Sequence, residues 1–384
     1  MIKPTSIVVA LALALGAVTS VQAASSVADA RGNAMGNTGV TTADYLLAPF
    51  YNPALTAVYR DNDDIGILLP GVGATARDTD ETLTTLDDLQ DAIDDFDDNP
   101  SPSTSDAVEL NGYLNDLENN KPLTVTASLG AAIALPIDAI SFNLFTRAYA
   151  EIIADTDIAA DTGNDAGNVR TRYQNSQVDL IAFGYTEVGL AMAKKIDFNG
   201  QTYAFGISPK VQQLRTYKDT VTVEDFDLSD YDESKKTKSA FNLDLGVVWM
   251  KESYRVGVAV KDVFGQEINT YDDSNTYELN TQVTVSGAYV SQFFTAAVDA
   301  DVTPQKRFNG SNDDTQFLRF GIEGDAWGWA QLRAGYEVDL KNNVDNAITA
   351  GIGISPGDLV SIDVAGLYAG ENQYGVSANL AFTF

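Results

Sequence analysis

Apolar and polar residues alternate along segment after segment of this chain, and the joins between segments alternate too, short then long. Period two marks β-strands, whose successive side chains point to opposite faces. Phe241, Leu243, Leu245, Val247 and Trp249 interleave with Asn242 and Asp244; Leu332, Ala334, Tyr336 and Val338 interleave with Arg333 and Glu337. The pattern predicts strands near 65–75, 123–135, 139–153, 178–195, 202–217, 238–250, 254–263, 278–290, 293–302, 316–325, 329–338, 346–354, 358–368 and 374–384. Short joins fall at 136–138, 197–200, 251–253, 291–292, 325–328 and 355–357. Longer ones fall at 76–122, 154–177, 218–237, 264–277, 303–315, 339–345 and 369–373. This rhythm fits an up-and-down barrel, tight turns on one rim and free loops on the other, with both termini on the tight rim. The expected fold is therefore all-β: a transmembrane up-and-down antiparallel β-barrel of about 14 strands.

The two ends of the chain agree with that expectation. Residues 1–23 carry one charge, Lys3, then an apolar run from Ile7 to Val18 and the small-residue site Val21-Gln22-Ala23, which reads as an export signal cleaved near Ala23. The run is too short for a spanning helix, which needs about 20 apolar residues. At the other end Tyr374, Val376, Ala378, Leu380, Phe382 and Phe384 give one apolar face, with Ser377, Asn379 and Thr383 on the opposite one. An exported chain ending on an aromatic strand resembles the closing strand of bacterial outer-membrane barrels.

Composition removes several chemistries. With no His and no Cys, neither a Ser-His-Asp nor a Cys-His nucleophile is available, and no disulfide can staple the fold. A net charge of −30 opposes binding to nucleic acid. No enzyme activity, cofactor or metal is expected. The acidic runs Asp94 to Asp98, Asp155 to Asp165 and Asp225 to Glu233 lack the calcium-loop spacing and read as solvated loops. Gly32 to Gly39 is glycine-rich but lacks the lysine-containing ending of a phosphate loop. Trp327, Trp329, Tyr336, Tyr368 and Tyr374 fit an interfacial aromatic girdle.

One insertion breaks the period. Within 77–121, Leu83, Leu86, Leu89, Ile93 and Phe96 recur at helical spacing, and a second run carries Val108, Tyr113, Leu114 and Leu117. A helix-turn-helix is expected, its apolar faces paired with each other or laid over the barrel mouth, where it would form a lid. Alternation points Arg147, Asp179, Lys210, Asp244, Asp299, Arg319, Glu323, Arg333, Glu337 and Asp363 inward, with Asp301, Arg255 and Lys261. Both signs on one face predict a cross-strand ion-pair ladder rather than a catalytic acid/base pair.

The segment Ala30 to Val58, with Gly32, Gly36, Gly39, Asp44 and above all Asn52-Pro53-Ala54, resembles the N-terminal signature of outer-membrane long-chain fatty-acid transporters. That resemblance implies a barrel of 14 strands with the N-terminal segment folded into the lumen as a hatch. The blocks Ser141 to Glu151, Val298 to Phe308 and Gln316 to Leu340 are similar to the TraF-type plasmid (conjugal) transfer family, which implies a role in mating-pair formation. The expected organisation is a signal at 1–23, a hatch at 24–60 and a barrel at 61–384 with a helical insertion at 77–121. The function expected is an outer-membrane barrel that binds or passively transports a small hydrophobic molecule. The alternative is a structural barrel contacting a conjugation or cell-surface partner. Outer-membrane lipid is the partner common to both.

Overall fold

The computed structural model of the protein describes residues 28–226, 234–309, 314–326 and 328–384. The expected export signal, Trp327, and Asp227, Asp230, Asp232 and Glu233 of the third acidic run lie outside the described residues. Sixteen strands are described: β1 (Gly66–Arg77), β2 (Leu123–Leu135), β3 (Ser141–Asp157), β4 (Gln177–Phe198), β5 (Gln201–Thr222), β6 (Lys235–Lys251), β7 (Tyr254–Lys261), β8 (Gln266–Asn269), β9 (Thr276–Leu279), β10 (Gln282–Val290), β11 (Phe294–Asp301), β12 (Phe317–Ala326), β13 (Ala330–Asp339), β14 (Ala347–Ile354), β15 (Val360–Gly370) and β16 (Gln373–Thr383). All but β8 and β9 join one closed antiparallel barrel of 14 strands, each paired with its sequence neighbour in the wall. The seam closes where Gly66 faces Thr383 and Arg77 faces Gln373. The Phe384 amide donates to the Ile65 carbonyl at 2.8 Å, so the last residue is stitched to the start of the first strand.

The outward face of the wall is apolar. Leu144, Val188, Val211, Phe241, Val256, Leu332, Ile348, Ile352 and Ile362 are all exposed, at positions that alternate with buried ones. One join departs from the expected rhythm. β15 and β16 run on until only Glu371 and Asn372 remain between them, and Asn372 takes a φ of 54°, a left-handed turn conformation that Asn tolerates.

The wall is uneven in height. β4 and β5 have 22 residues each whereas β7, β11 and β14 have 8. At about 3.3 Å per residue the tall strands are roughly 70 Å long and the short ones roughly 26 Å. The upper part of the tall side is clad on its outer surface by three helices, α3 (Thr82–Asp98), α4 (Thr104–Leu117) and α5 (Ala166–Asn175); the N-terminal segment holds the shorter α1 (Ala30–Ala34) and α2 (Ala48–Tyr51). Ser103 and Asp106 cap α4 reciprocally, and the Asp165 side chain caps α5. Leu86, Leu89, Ile93 and Phe96 of α3 pack with Leu110, Leu114 and Leu117 of α4, and both pack against Leu123, Val125, Val178 and Leu180 of the wall. Those wall residues point outward. The insertion therefore does not lie over the mouth, and the lid expectation for it is overturned. The physical reason is that strands this tall carry outward apolar side chains above the exposed belt, and amphipathic helices cover them.

Candidate functional site: a filled lumen

Residues Ala28 to Val58 run inside the barrel, and local chemistry explains how this mostly loop-like segment keeps its shape. The Asp29 side chain caps α1, accepting from the amides of Arg31 at 2.9 Å and Gly32 at 2.8 Å. Tyr51 Oη also donates to Asp29, at 3.1 Å, so its ring lies across Gly32 and Gly39, where a Cβ would meet the tyrosine at 1.9 and 2.3 Å. Asn52 is wholly buried: its amide donates to the Val40 carbonyl at 2.9 Å and its oxygen accepts from the Ala54 amide at 3.0 Å. Asp44 is exposed and accepts from the amides of Leu46 and Leu47, both at 2.9 Å. Burial, with the Asp44 carboxylate nearby, pushes the Asp29 carboxyl up to about 6.

The wall receives this segment by close approach and by polar contacts. Gly206 lies against the Pro53-Ala54 peptide, where a Cβ would sit 2.2 Å from Ala54 N, and Gly335 lies against Gly36, at 2.0 Å from its N. The Ala30 amide donates to Asn379 at 2.7 Å, Gly36 to Thr349 at 2.8 Å, and Gly39 and Val40 to Asp299 at 2.9 and 3.1 Å. Thr41 and Ser286 hydroxyls meet at 2.7 Å. Asn143 donates to the carbonyls of Tyr45 and Leu46, and Lys261 to that of Phe50. Arg31 grips Glu323 with two contacts of 2.8 Å. Further along the segment, Tyr45, Leu46, Leu47, Phe50 and Leu55 form an apolar cluster with Leu68, Phe145 and Val248.

The inward charges fall into groups. Lys210, with a fully buried side chain, meets Asp244 and Asp262 at 2.9 Å and Glu187 at 3.3 Å; Arg147 meets Glu187 at 3.0 Å. Arg333 joins Glu323 at 2.6 Å to Asp363 at 2.5 Å, and Arg319 holds Asp301 at 2.8 Å. Glu337 accepts from Asn37 and Asp299 from the N-terminal segment. Asp179 is part of none of these groups. It is half-buried high on β4, opposite Asp155, and accepts from Thr220 at 2.5 Å. Sequence reasoning passed over Glu187 and Asp262, which complete the Lys210 group. Glu187 was readable, since it alternates with Tyr185 and Gly189; Asp262 follows the end of β7 at a φ of 51° and no period reveals it.

The loop-side mouth is filled by the β8–β9 hairpin, which leans inward. Tyr277 is wholly buried, stacked on Phe183 with ring centres 3.5 Å apart and edge-on to Phe308 at 5.0 Å. Ile268, Leu279, Tyr149, Tyr185 and Leu214 complete this cluster. Thr216 donates to Asn269 at 2.7 Å and Lys238 to Glu267 at 2.8 Å, tying the hairpin to the tall wall. Between hairpin and N-terminal segment the cavities are small and polar, two of about 70 Å³ sharing Asn37 and Arg319.

The chain matches the family described as F plasmid transfer operon, TraF, protein over residues 49–301. Among solved structures it is similar to the toluene transporter TbuX of Ralstonia pickettii, at 13% identity over 92% of this chain and 98% of that one, with a TM-score of 0.55. It is also similar to the monoaromatic hydrocarbon channel CymD, at 10% identity over 92% and 97% with a TM-score of 0.55, and to a FadL homologue of Pseudomonas aeruginosa, at 10% over 95% and 99% with a TM-score of 0.53. At these identities the likeness is one of fold. No curated protein matches the chain.

Proposed function

Starting from a chain that belongs to the family of the F plasmid transfer operon TraF protein, we propose that it is an outer-membrane barrel that binds and passively passes a small hydrophobic molecule, closed here at two levels. The exposed apolar belt supports insertion in a bilayer, since such a face is costly in water. Residues 28–58 act as the hatch. The observation that carries the reading is this segment: it fills the lumen, yet its residues 30–42 are tied to the wall largely by hydrogen bonds and one ion pair, contacts that water can replace, with Met35 and Val40 the larger apolar side chains buried among them. The Tyr277 hairpin is the outer closure, and its aromatic cluster is the first surface an apolar solute would meet.

The chain has no cysteine, which permits a clean test. The Thr41 and Ser286 oxygens are 2.7 Å apart, so T41C/S286C places two sulfurs near bonding distance. In proteoliposomes, uptake of toluene or hexadecanoate should stop when this pair is oxidised and return on reduction. Uptake indifferent to the lock would remove the hatch role; no uptake of either solute by the reduced protein would remove transport.

A second reading rests on the helices. α3 and α4 present Asp87, Asp91, Asp94, Asp95 and Glu109 away from the wall, a surface suited to a cationic partner in conjugal transfer or cell-surface assembly. Deleting 79–120 should then abolish mating-pair contact and leave uptake unchanged.

A further inference from the structure

One cavity between the two closures has a chemistry that hydrocarbon passage does not need. Its volume is about 70 Å³, and Arg77, Arg307 and Arg319 all line it. Among the described residues Glu337 is the single lining carboxylate, and it is already engaged by Asn37. Arg307 and Arg319 reach their own carboxylates, Glu151 at 3.4 Å and Asp301 at 2.8 Å. Arg77 donates to the Asp345 backbone carbonyl at 2.8 Å and, among the described residues, has no carboxylate within ion-pair distance. The lining itself thus holds three guanidiniums to one carboxylate, with Glu151 and Asp301 standing behind two of them, and Arg77 is the guanidinium that no carboxylate among the described residues holds. Arg319 is more than nine-tenths buried, its Nε has no hydrogen-bond partner among the described residues, and Phe317 lies 4.9 Å from its guanidinium. A buried guanidinium nitrogen without an acceptor is rare and costly.

Threonine hydroxyls at Thr75, Thr124 and Thr126 line the same space and can donate into it, and the Tyr149 ring lines it with its phenol already donating to Glu151 at 2.9 Å. Tyr149 also belongs to the aromatic cluster above, so the cavity is the polar floor of that cage.

We infer that this cavity is a binding site for a small oxyanion, the carboxylate or phosphate group of a solute arriving from the loop side. Guanidinium forks match such groups in two-point geometry, and hydroxyl donors add to them. Any ring the solute carries would lie against Tyr149, in place of Tyr277. The inference deepens the proposed function and takes from it only the direction of arrival.

The test is equilibrium binding to the full chain in detergent, with benzoate, inorganic phosphate and the neutral benzamide as probes. Saturable binding of benzoate or phosphate is expected, with benzamide at least about tenfold weaker than benzoate. Arg77→Gln should weaken anion binding about tenfold or more, because Arg77 has no structural ion pair to lose. Should that variant fail to migrate as a folded barrel, Thr126→Val supplies a milder loss to be read the same way. Benzoate alone binding identifies an organic acid, and phosphate alone an inorganic or phosphorylated ligand; both support the site. No anion binding, benzamide equal to benzoate, or a folded Arg77→Gln equal to the parent overturns it. Anion binding without uptake would sink the transport reading and leave this one standing, whereas toluene uptake without anion binding would do the reverse.

Discussion

Arg31 and Glu323 allow the strength of the N-terminal segment's attachment to be worked out. Arg31 gives Glu323 two charge-assisted hydrogen bonds of 2.8 Å, with side chains 18% and 11% exposed, so solvent screening is modest. Glu323 has a second partner, Arg333, and Arg333 has Asp363 besides. Arg31→Gln therefore leaves no charge stranded and should cost about 1.5–3 kcal/mol, the net worth of hydrogen bonds to a charged group. Glu323→Gln is worse. It strands Arg31, while Asp363 still compensates Arg333, and should cost about 3–5 kcal/mol. Hydrogen exchange of the full chain in detergent reads this directly. Amides of residues 30–42 should exchange roughly ten- to a hundredfold faster in Arg31→Gln and faster still in Glu323→Gln, since each 1.4 kcal/mol is about tenfold. The double variant should cost less than the two costs combined, because the two residues share one interaction. If Arg31→Gln matches or exceeds Glu323→Gln, or if β12 and β13 loosen as much as residues 30–42, the pair holds the wall together rather than the segment to it.

Asp29 makes the attachment pH-dependent. Its folded carboxyl sits at about 6 rather than 3.8, so the folded state holds the extra proton between those values; stability is greatest below about 4 and falls as pH rises through 6. The difference is about 3 kcal/mol, and exchange of residues 30–42 should accelerate from pH 4 to 7 after correction for the intrinsic rate, an acceleration that Asp29→Asn abolishes. Gly335→Ala should loosen the segment by well over about 1 kcal/mol, since its Cβ would overlap Gly36, whereas Gly287→Ala meets nothing within 4 Å and should be neutral within about 0.5 kcal/mol; thermal unfolding distinguishes them. Tyr277→Ala should cost the mouth cluster about 3–5 kcal/mol and expose the hairpin to protease without altering the barrel's migration on a gel. Leu89→Asp places a charge in the buried helix cluster and should release α3 to α5 alone, seen as exchange confined to 79–120 and 158–176.

The wall was legible in the chain because a strand's side chains obey a period of two, and the joins were legible because a barrel alternates its rims. The outward set Leu332, Ala334 and Tyr336 and the inward set Arg333 and Glu337 lie where alternation places them. What fills the wall was legible only in part. Helical spacing told that α3 has an apolar face but not which surface covers it, because the outward positions Val178 and Leu180 look the same whether lipid or a helix lies against them. The β8–β9 hairpin escaped notice since four-residue strands show too little period, and Tyr277 draws its place from Phe183, Phe308 and Tyr149 on three other elements. The Arg31–Glu323 pair joins the short helix α1 to a strand residue 292 positions away, and no spacing rule links them.

The two halves of the N-terminal segment are attached by different physics, and that decides which half can move. From Ala30 to Thr42 the attachments are mainly polar: the amide contacts to Asn379, Thr349 and Asp299, the Thr41–Ser286 pair and the Arg31 ion pair, with Met35, Val40 and the small Ala30 and Ala34 as the apolar part. Each neutral hydrogen bond is worth about 0.5–1.5 kcal/mol net, because water can take its place. From Tyr45 to Leu55 the attachment is apolar: Leu46, Leu47, Phe50 and Leu55 are buried, and each costs about 1.5–3 kcal/mol to expose, with no substitute in water. Expelling the whole segment would thus expose at least about 6–12 kcal/mol of apolar contact on top of the polar losses. Swinging out residues 30–42 alone exposes chiefly Met35 and Val40, a smaller apolar cost. The expected exchange pattern is a step, with residues 30–42 opening well before 45–57, and the T41C/S286C lock should slow the first group and leave the second as it was. Uniform exchange along 28–58 would mean that the segment leaves as one body, and passage would then have to be far slower than opening of the polar half allows.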